Sequence, residues 1–401
     1  MNRHELPNGN PLQRMLFFDP TLTFSKGADG LTTKFEAVGR EIDAFASAVP
    51  SLTVCGQLRN DSEVLNSGYT ISSEIQFKPL KYWSEPGNRV GFLQQGYRTI
   101  PEVWSTVSKM AESHDLLWLR SGPHPATITA FLACRSADGM TVYFIGSDFK
   151  RNTEHRTQKY SFPRRVPEQL FAAGVDTAVD SIVQRADCTL VHPGYLERRY
   201  SHAKRIETTL ISTVREDEIE TNAEWNPDGG AKILYVGRLT KEKGIDILVE
   251  SFRELAEAVE PTPELIIRGT GGDEEALREQ IQSYELSGQV TFVPFLPFDE
   301  LLHLYRGADI FVLPSRIEGQ GRVLIEALAS GCVVIGTDVG GIPAIVSHEE
   351  NGILIKEGAS TPLTEAIERV LSNTDFAEKL VTNGVQWAHE HTVRKETNRA
   401  I

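Results

Sequence analysis

The chain has 401 residues, 40% of them apolar and 24% charged, a balance that suits two globular domains and excludes a disordered chain. Its formal charge of −14 argues against nucleic acid as a partner, because phosphate backbones select cationic surfaces. No apolar run of about eighteen residues occurs, and the polar start MNRHELPNGNPLQRM lacks the apolar core of a secretory signal. These features predict a cytoplasmic protein, one that docks at most on the inner face of a membrane.

In the N-terminal half, RMLFFDP (14–20), LTVCG (52–56), DLLWLR (115–120), TVYFIG (141–146) and CTLVHP (188–193) read as strands, with helical stretches between several of them. KGADG (26–30) offers Gly27 and Gly30 as a glycine loop, and RSGPHP (120–125) puts Arg120 and His124 just after a strand. A lone histidine at such a place is more often structural. FKRNTEHRTQKYSFPRR (149–165) gathers cations with Phe149, Tyr160 and Phe162 interleaved. It reads either as a solvated loop or as a face for an anionic membrane or a phosphorylated lipid acceptor. Cys55, Cys134, Cys188 and Cys332 lie far apart without metal-like spacing, which predicts buried free thiols in a reducing compartment.

The polar, acidic TVREDEIETNAEWNPDGG (213–230) reads as an exposed linker. Beyond it, short β-branched runs alternate with helical patterns. KILYVG (232–237), ELIIRG (264–269), VTFVPF (290–295), DIFVLP (309–314) and CVVIGT (332–337) are the strands. Runs apolar throughout are what a parallel sheet covered on both faces requires. The predicted fold class is α/β: two facing doubly wound Rossmann-like domains with a cleft between them. The expected boundaries are 1–212 for an acceptor-side domain, 213–229 for the linker, and 230–385 for a nucleotide-sugar domain. A C-terminal helix over 386–401 would pack back on the first domain.

The candidate chemistry sits in PSRIEGQGRVLIEALASG (314–331), where Glu318 and Glu326 are eight positions apart and Gly319 and Gly321 follow the first of them. The stretch joins a strand end to a helix start. Glycines there allow close backbone approach, and the N–H groups around Val323 and Leu324 suit a phosphate oxygen. In YVGRLTKEKG (235–244), Arg238 and Lys243 stand in the loop before a helix, a suitable host for a diphosphate. IIRGTGGDEEAL (266–277) adds Gly271 in a glycine-rich turn that completes no known phosphate motif.

Three segments, GRLTKEKGIDILVESF, LPSRIEGQGRVLIEALASG and GTDVGGIPAIVSHEENGILI, resemble in order the retaining nucleotide-sugar glycosyltransferases of family 4, which have the two-domain GT-B fold. The resemblance covers roughly 230–360. It implies that Glu318 binds hydroxyls of the donor sugar, Glu326 the ribose, and Arg238 with Lys243 the diphosphate. Gly319, Gln320, Gly321, Val323 and Leu324 would line the donor, and the backbone around Phe295 and Gly271 would face the base. Gly27 and Gly30 would stand for the family's N-terminal glycine loop, on the donor-phosphate or acceptor side; Arg120 and His124 are acceptor-side candidates by their place after a strand, not by the resemblance. Three positions depart from the pattern: Gln320 where Phe is common, Ala344 where Glu follows GGIP, and Ile145 where many members carry His.

The function implied is retaining transfer from a UDP- or GDP-sugar to a hydroxyl of a glycan or lipid-linked acceptor, in polysaccharide or glycolipid synthesis. No D-x-D occurs in the chain, so cations and helix amides would offset the leaving phosphate with neither metal nor cofactor. A glycosidase built on the glutamate pair, an epimerase of the same fold and a silent nucleotide-sugar or glycan-binding protein are the rival readings.

Overall fold

The computed structural model describes residues 11–27, 30–59, 68–80, 89–120, 124–135, 137–157, 162–227 and 230–401. The chain divides into two compact units, Met1–Ile211 with Glu396–Ile401, and Ser212–Lys395.

The first unit runs β1 (Arg14–Gly27), β2 (Gly30–Thr33), α1 (Glu36–Ala48), β3 (Ser51–Leu58), β4 (Tyr69–Thr70), β5 (Gln76–Leu80), α2 (Arg89–Ala111) and β6 (Leu116–Leu119). It continues α3 (Pro125–Cys134), β7 (Met140–Ile145), α4 (Phe149–Thr157), α5 (Phe162–Val183), β8 (Cys188–Val191), α6 (Tyr195–Arg199) and β9 (Ile206–Thr208). Strands β5-β3-β1-β6-β7-β8-β9 are parallel neighbours, and β2 and β4 extend from β1 as antiparallel pairs. Alternate residues feed two cores: Leu16, Phe18, Leu117, Leu119, Tyr143 and Ile145 on one face, Met15, Phe17, Leu116, Trp118, Val142 and Phe144 on the other. Both faces are therefore dry, which is why these strands read as unbroken apolar runs.

Ile145 is buried in the first of those cores, so an aliphatic side chain fills space there. Gly27 and Gly30 pair directly across β1 and β2. Helix α1 begins at Glu36, six residues beyond Gly30. The basic stretch is split between α4 and the start of α5, and its Tyr160 lies outside the described residues. All four cysteines are buried and free, and burial pushes the Cys188 thiol up to about 11 and those of Cys55 and Cys134 up to about 12.

The second unit runs β10 (Lys232–Val236), α7 (Ile245–Ala258), β11 (Glu264–Arg268), α8 (Glu274–Ser283), β12 (Val290–Val293), α9 (Phe298–Arg306) and β13 (Ile310–Leu313). Then come α10 (Arg322–Ala329), β14 (Val333–Thr337), β15 (Ile353–Ile355), α11 (Thr361–Ser372), α12 (Thr374–Glu390) and α13 (Val393–Ala400). Its sheet is parallel throughout, ordered β12-β11-β10-β13-β14-β15.

Two boundary expectations change. The segment expected as an exposed linker over 213–229 is anchored within its described residues: Val214, Glu218, Ile219 and Trp225 are buried among exposed charges. Its Glu220 N–H donates to Ala329 at 2.8 Å, and the Arg306 guanidinium reaches the Glu218 carbonyl at 2.8 Å. Composition averages hide a few apolar anchors set among charges. At the C-terminus, residues 386–390 belong to α12, and the segment that joins the first unit is shorter than expected. There the Leu210 N–H donates to Glu396 at 3.4 Å, and Ala400 and Ile401 pack on the core around Phe17 and Trp118.

Candidate functional site

In the second sheet the strand order reverses between β10 and β13. Open α/β sheets bind ligands in the crevice outside the carboxyl ends of the strands at such a switch point. The loop after β10 carries Arg238 and the short turn Lys241–Lys243, and the loop after β13 carries Pro314 to Gly321. Glu318, Arg238 and Lys243 are thus brought to one sheet edge from two loops about 75 residues apart.

The Lys243 ammonium donates to Glu318 Oε2 at 2.6 Å. Ser315 donates to the same oxygen at 3.3 Å, and the Gly319 N–H to Oε1 at 3.1 Å. Both members of the pair are largely buried, their side chains 16% and 11% exposed. The two loops are clamped by Arg316, whose guanidinium grips both oxygens of Asp246 at 2.7 Å while the Arg316 backbone N–H donates to the Glu242 carbonyl at 2.8 Å. Partial burial pushes the Asp246 carboxyl up, but the Arg316 fork outweighs it and holds the group below its ordinary value. Such a bidentate pair fixes direction as well as distance, so the Lys243–Glu318 spacing is set by the scaffold.

Arg238 is exposed, and its carbonyl accepts the Tyr235 hydroxyl at 2.8 Å. Burial, with the Glu318 charge nearby, pushes the Tyr235 phenol up, so it stays a donor at neutral pH. Behind Glu318 stands Gly340, with φ +60°; a Cβ there would lie 1.8 Å from the Glu318 carbonyl oxygen. No larger residue fits without moving the Glu318 backbone.

Helix α10 starts after the left-handed Gly321 (φ +84°). The Leu324 N–H donates to the Gly321 carbonyl at 2.9 Å, so it serves the helix's own first turn rather than a phosphate. Val323 is half-buried, Gln320 is buried and Gly319 is exposed. Glu326 is buried, and both its oxygens are engaged: Thr213 donates to one at 2.8 Å and Tyr305 to the other at 2.9 Å. Burial, reinforced by the Glu326 charge, raises the Tyr305 phenol well above its ordinary value.

Gly271 has a role that sequence reasoning missed. A Cβ there would stand 2.0 Å from the Leu239 carbonyl oxygen, so the missing side chain lets the loops after β10 and β11 touch. Phe295, just past β12, is 74% exposed. In the first unit Arg120 forms a buried ion pair with Glu41, sits 3.8 Å from Asp19 and lies over the Phe144 ring. Desolvation pushes the buried Asp19 carboxyl up despite Arg120. His124 caps α3, its Nδ1 accepting the Ala126 N–H at 3.1 Å, and burial lowers its pKa to about 4. Both residues are thus committed to holding the first unit together. Residues 121–123, between them, lie outside the described residues.

Tyr235, Asp246, Tyr305, Arg316 and Thr213 belong to the site's frame, and sequence reading named none of them. Thr213 lies in the presumed linker, and the Arg316–Asp246 clamp joins positions 70 residues apart. The one local signal was Arg316 itself, placed between the strand end and Glu318.

Residues 217–387 match the sequence family described as glycosyl transferases group 1. Among curated proteins, an uncharacterized glycosyltransferase of Methanocaldococcus jannaschii is 34% identical over 174 residues, 42% of this chain and 44% of that one. The D-inositol 3-phosphate glycosyltransferase of Corynebacterium urealyticum is 27% identical over 274 residues, 64% of this chain and 62% of that one. The chain therefore spans less than two thirds of these relatives' length. Among solved structures, sucrose-phosphate synthase from Thermosynechococcus elongatus superposes with a TM-score of 0.69 at 20% identity, covering 97% of each chain. HepE of Anabaena, solved with UDP and glucose, gives 0.68 at 17% identity, over 97% of this chain and 98% of that one. The chain has the GT-B architecture of two Rossmann-like domains, and residues 217–387 within its second unit are similar to the glycosyl transferases group 1 family.

Proposed function

We propose that the protein is a retaining glycosyltransferase that moves a sugar from a UDP- or GDP-sugar to a hydroxyl of a glycan or lipid-linked acceptor. The observation that carries this reading is the clamped Lys243–Glu318 contact, with Arg238 in the same loop as Lys243, at the switch point of the second sheet. Arg238 and Lys243 hold the diphosphate and offset the charge that grows on it as the anomeric bond breaks. Glu318 accepts hydrogen bonds from the sugar hydroxyls and orients the ring. The acceptor oxygen bonds to the anomeric carbon on the face the diphosphate leaves, and the acceptor's proton passes to the departing phosphate oxygen. The donor-bound state places Glu326 against the ribose, its carboxylate already aimed by Thr213 and Tyr305. No step calls for a metal.

Replacing both Arg238 and Lys243 by Ala removes two preorganised cations, each worth roughly 3–4 kcal/mol of transition-state stabilisation. Release of nucleoside diphosphate from a donor–acceptor mixture should fall by at least about a thousandfold with the fold intact by circular dichroism. Unchanged release would remove these residues from the reaction. The same assay separates transfer from glycosidase chemistry, which liberates no nucleotide.

The acceptor side includes a peripheral contact with an anionic membrane through 149–165. Its support is the cation-rich sequence together with Phe162, 80% exposed at the start of α5, and Leu170, 68% exposed further along it. Salt-sensitive co-sedimentation with phosphatidylserine vesicles is expected, and no binding at low salt would end this part of the reading.

A further inference from the structure

Arg268 closes β11 and pairs across the ladder with Val236 of β10 and Val293 of β12. Arg238 and Phe295 each lie two residues beyond those partners, so all three side chains belong to one edge of one sheet. Neighbouring strands are about 4.8 Å apart, and the edge from β12 to β13 spans three such steps. That is room to lay a base, a diphosphate and a sugar in sequence.

The Arg268 guanidinium is only partly satisfied. Its Nη2 donates to the Leu296 carbonyl at 3.3 Å. Its Nε is buried and has no hydrogen-bond partner among the described residues. The Phe295 ring covers it, with the guanidinium carbon 4.9 Å from the ring centroid, while that ring is itself 74% exposed and can turn aside. Arg268 is also close enough to Tyr305 for its charge to act on the phenol that donates to Glu326. A buried N–H without a partner is rare and costly in a native fold. One that lies at a ligand edge, one residue's reach from the expected ribose contact, has an evident use.

We propose that Arg268 selects the nucleobase of the donor, admitting bases with a carbonyl at pyrimidine position 4 or purine position 6 and rejecting those with an amino group there. The inference rests on the nucleotide site of the proposed function. A guanidinium carries five donors and no acceptor. Guanine O6 and the O4 of uracil accept from it, whereas adenine N6 and cytosine N4 offer a second donor at the matching place. The amino bases then leave the Arg268 donor unpaired and their own amino group unsatisfied. Phe295, turned from the guanidinium, supplies an apolar face for the base plane.

Binding of UDP, GDP, CDP and ADP to the full chain, measured by calorimetry, tests this. The wild type should bind the keto pair roughly tenfold to a hundredfold more tightly than the amino pair. Arg268→Met should bring the four affinities to within about twofold, and Arg268→Lys, which keeps donors, should retain part of the preference. Melting distinguishes a ligand role from a structural one: Arg268→Met removes the unpaired Nε together with the long Nη2 bond to Leu296 and should melt close to the wild-type temperature. Arg238→Ala should weaken all four nucleotides alike and leave their ratio intact. An unchanged keto-to-amino ratio in Arg268→Met, or equal binding of all four by the wild type, overturns the selection. If no nucleotide binds at all, the donor site falls and this inference with it.

Discussion

Tyr305 and Glu326 show how hydroxyl donors aim a buried carboxylate, Thr213 donating to one oxygen and Tyr305 to the other. A carboxylate oxygen removed from water needs a donor, and leaving it without one costs about 1–3 kcal/mol. Tyr305→Phe keeps the ring and deletes the donor. It should lower the stability of the second unit by that amount in urea unfolding and weaken UDP binding severalfold. A stability loss with no change in UDP affinity would make Glu326 a structural residue. Glu326 was visible in the sequence as half of a spaced pair. Its partners were not, because a threonine 113 residues away and a tyrosine 21 residues away give no local sign of where their hydroxyls point.

At the scale of elements, the capping of α3 carries a pH dependence. His124 accepts the Ala126 N–H through Nδ1, which requires the neutral ring, and its pKa is lowered to about 4 from the ordinary 6.5 by burial. The unfolded chain therefore binds a proton that the fold refuses. Stability is fully present above pH 6.5 and declines as the pH falls toward 4. By pH 5 the loss from this group should be on the order of 1–2 kcal/mol. His124→Asn, a side chain that also caps helices but does not titrate, should flatten the dependence of the urea midpoint between pH 7 and 5. An equally steep decline in that variant would assign the effect elsewhere. The sequence placed His124 after a strand and before a proline, which is where a helix starts. Whether its ring faced a ligand or its own helix depended on how deeply the turn is buried.

At the scale of the whole chain, the closing residues return to the first unit. Glu396 accepts the Leu210 N–H, and Ala400 and Ile401 cover part of the core that contains Phe17 and Trp118. Truncation after Lys395 should lower the melting temperature of the first unit by several degrees, the effect of roughly 1–2 kcal/mol in a domain of this size. The second unit, which retains all the residues of the candidate site, should melt unchanged. Intrinsic fluorescence of Trp118, buried in the affected core, offers a reporter, and a first unit indifferent to the truncation would show the segment to be dispensable.

The long central strands, the doubly wound class and the loop positions of Glu318, Arg238 and Lys243 were legible in local pattern, whereas the short strands β2, β4, β5, β9 and β15 were not. A strand buried on both faces must be apolar throughout, and a loop at a strand's carboxyl end betrays itself by its glycines and charges. Tertiary structure decided what side chains do across long separations: that Lys243 reaches Glu318, that Arg316 clamps their loops, and that Leu324 spends its N–H on its own helix. It also decided that Val214, Glu218, Ile219 and Trp225 anchor the acidic segment by burial. Periodicity and composition describe the neighbourhood along the chain, whereas a hydrogen bond or an ion pair forms with whatever the fold brings within about 3 Å, and that partner is set by topology.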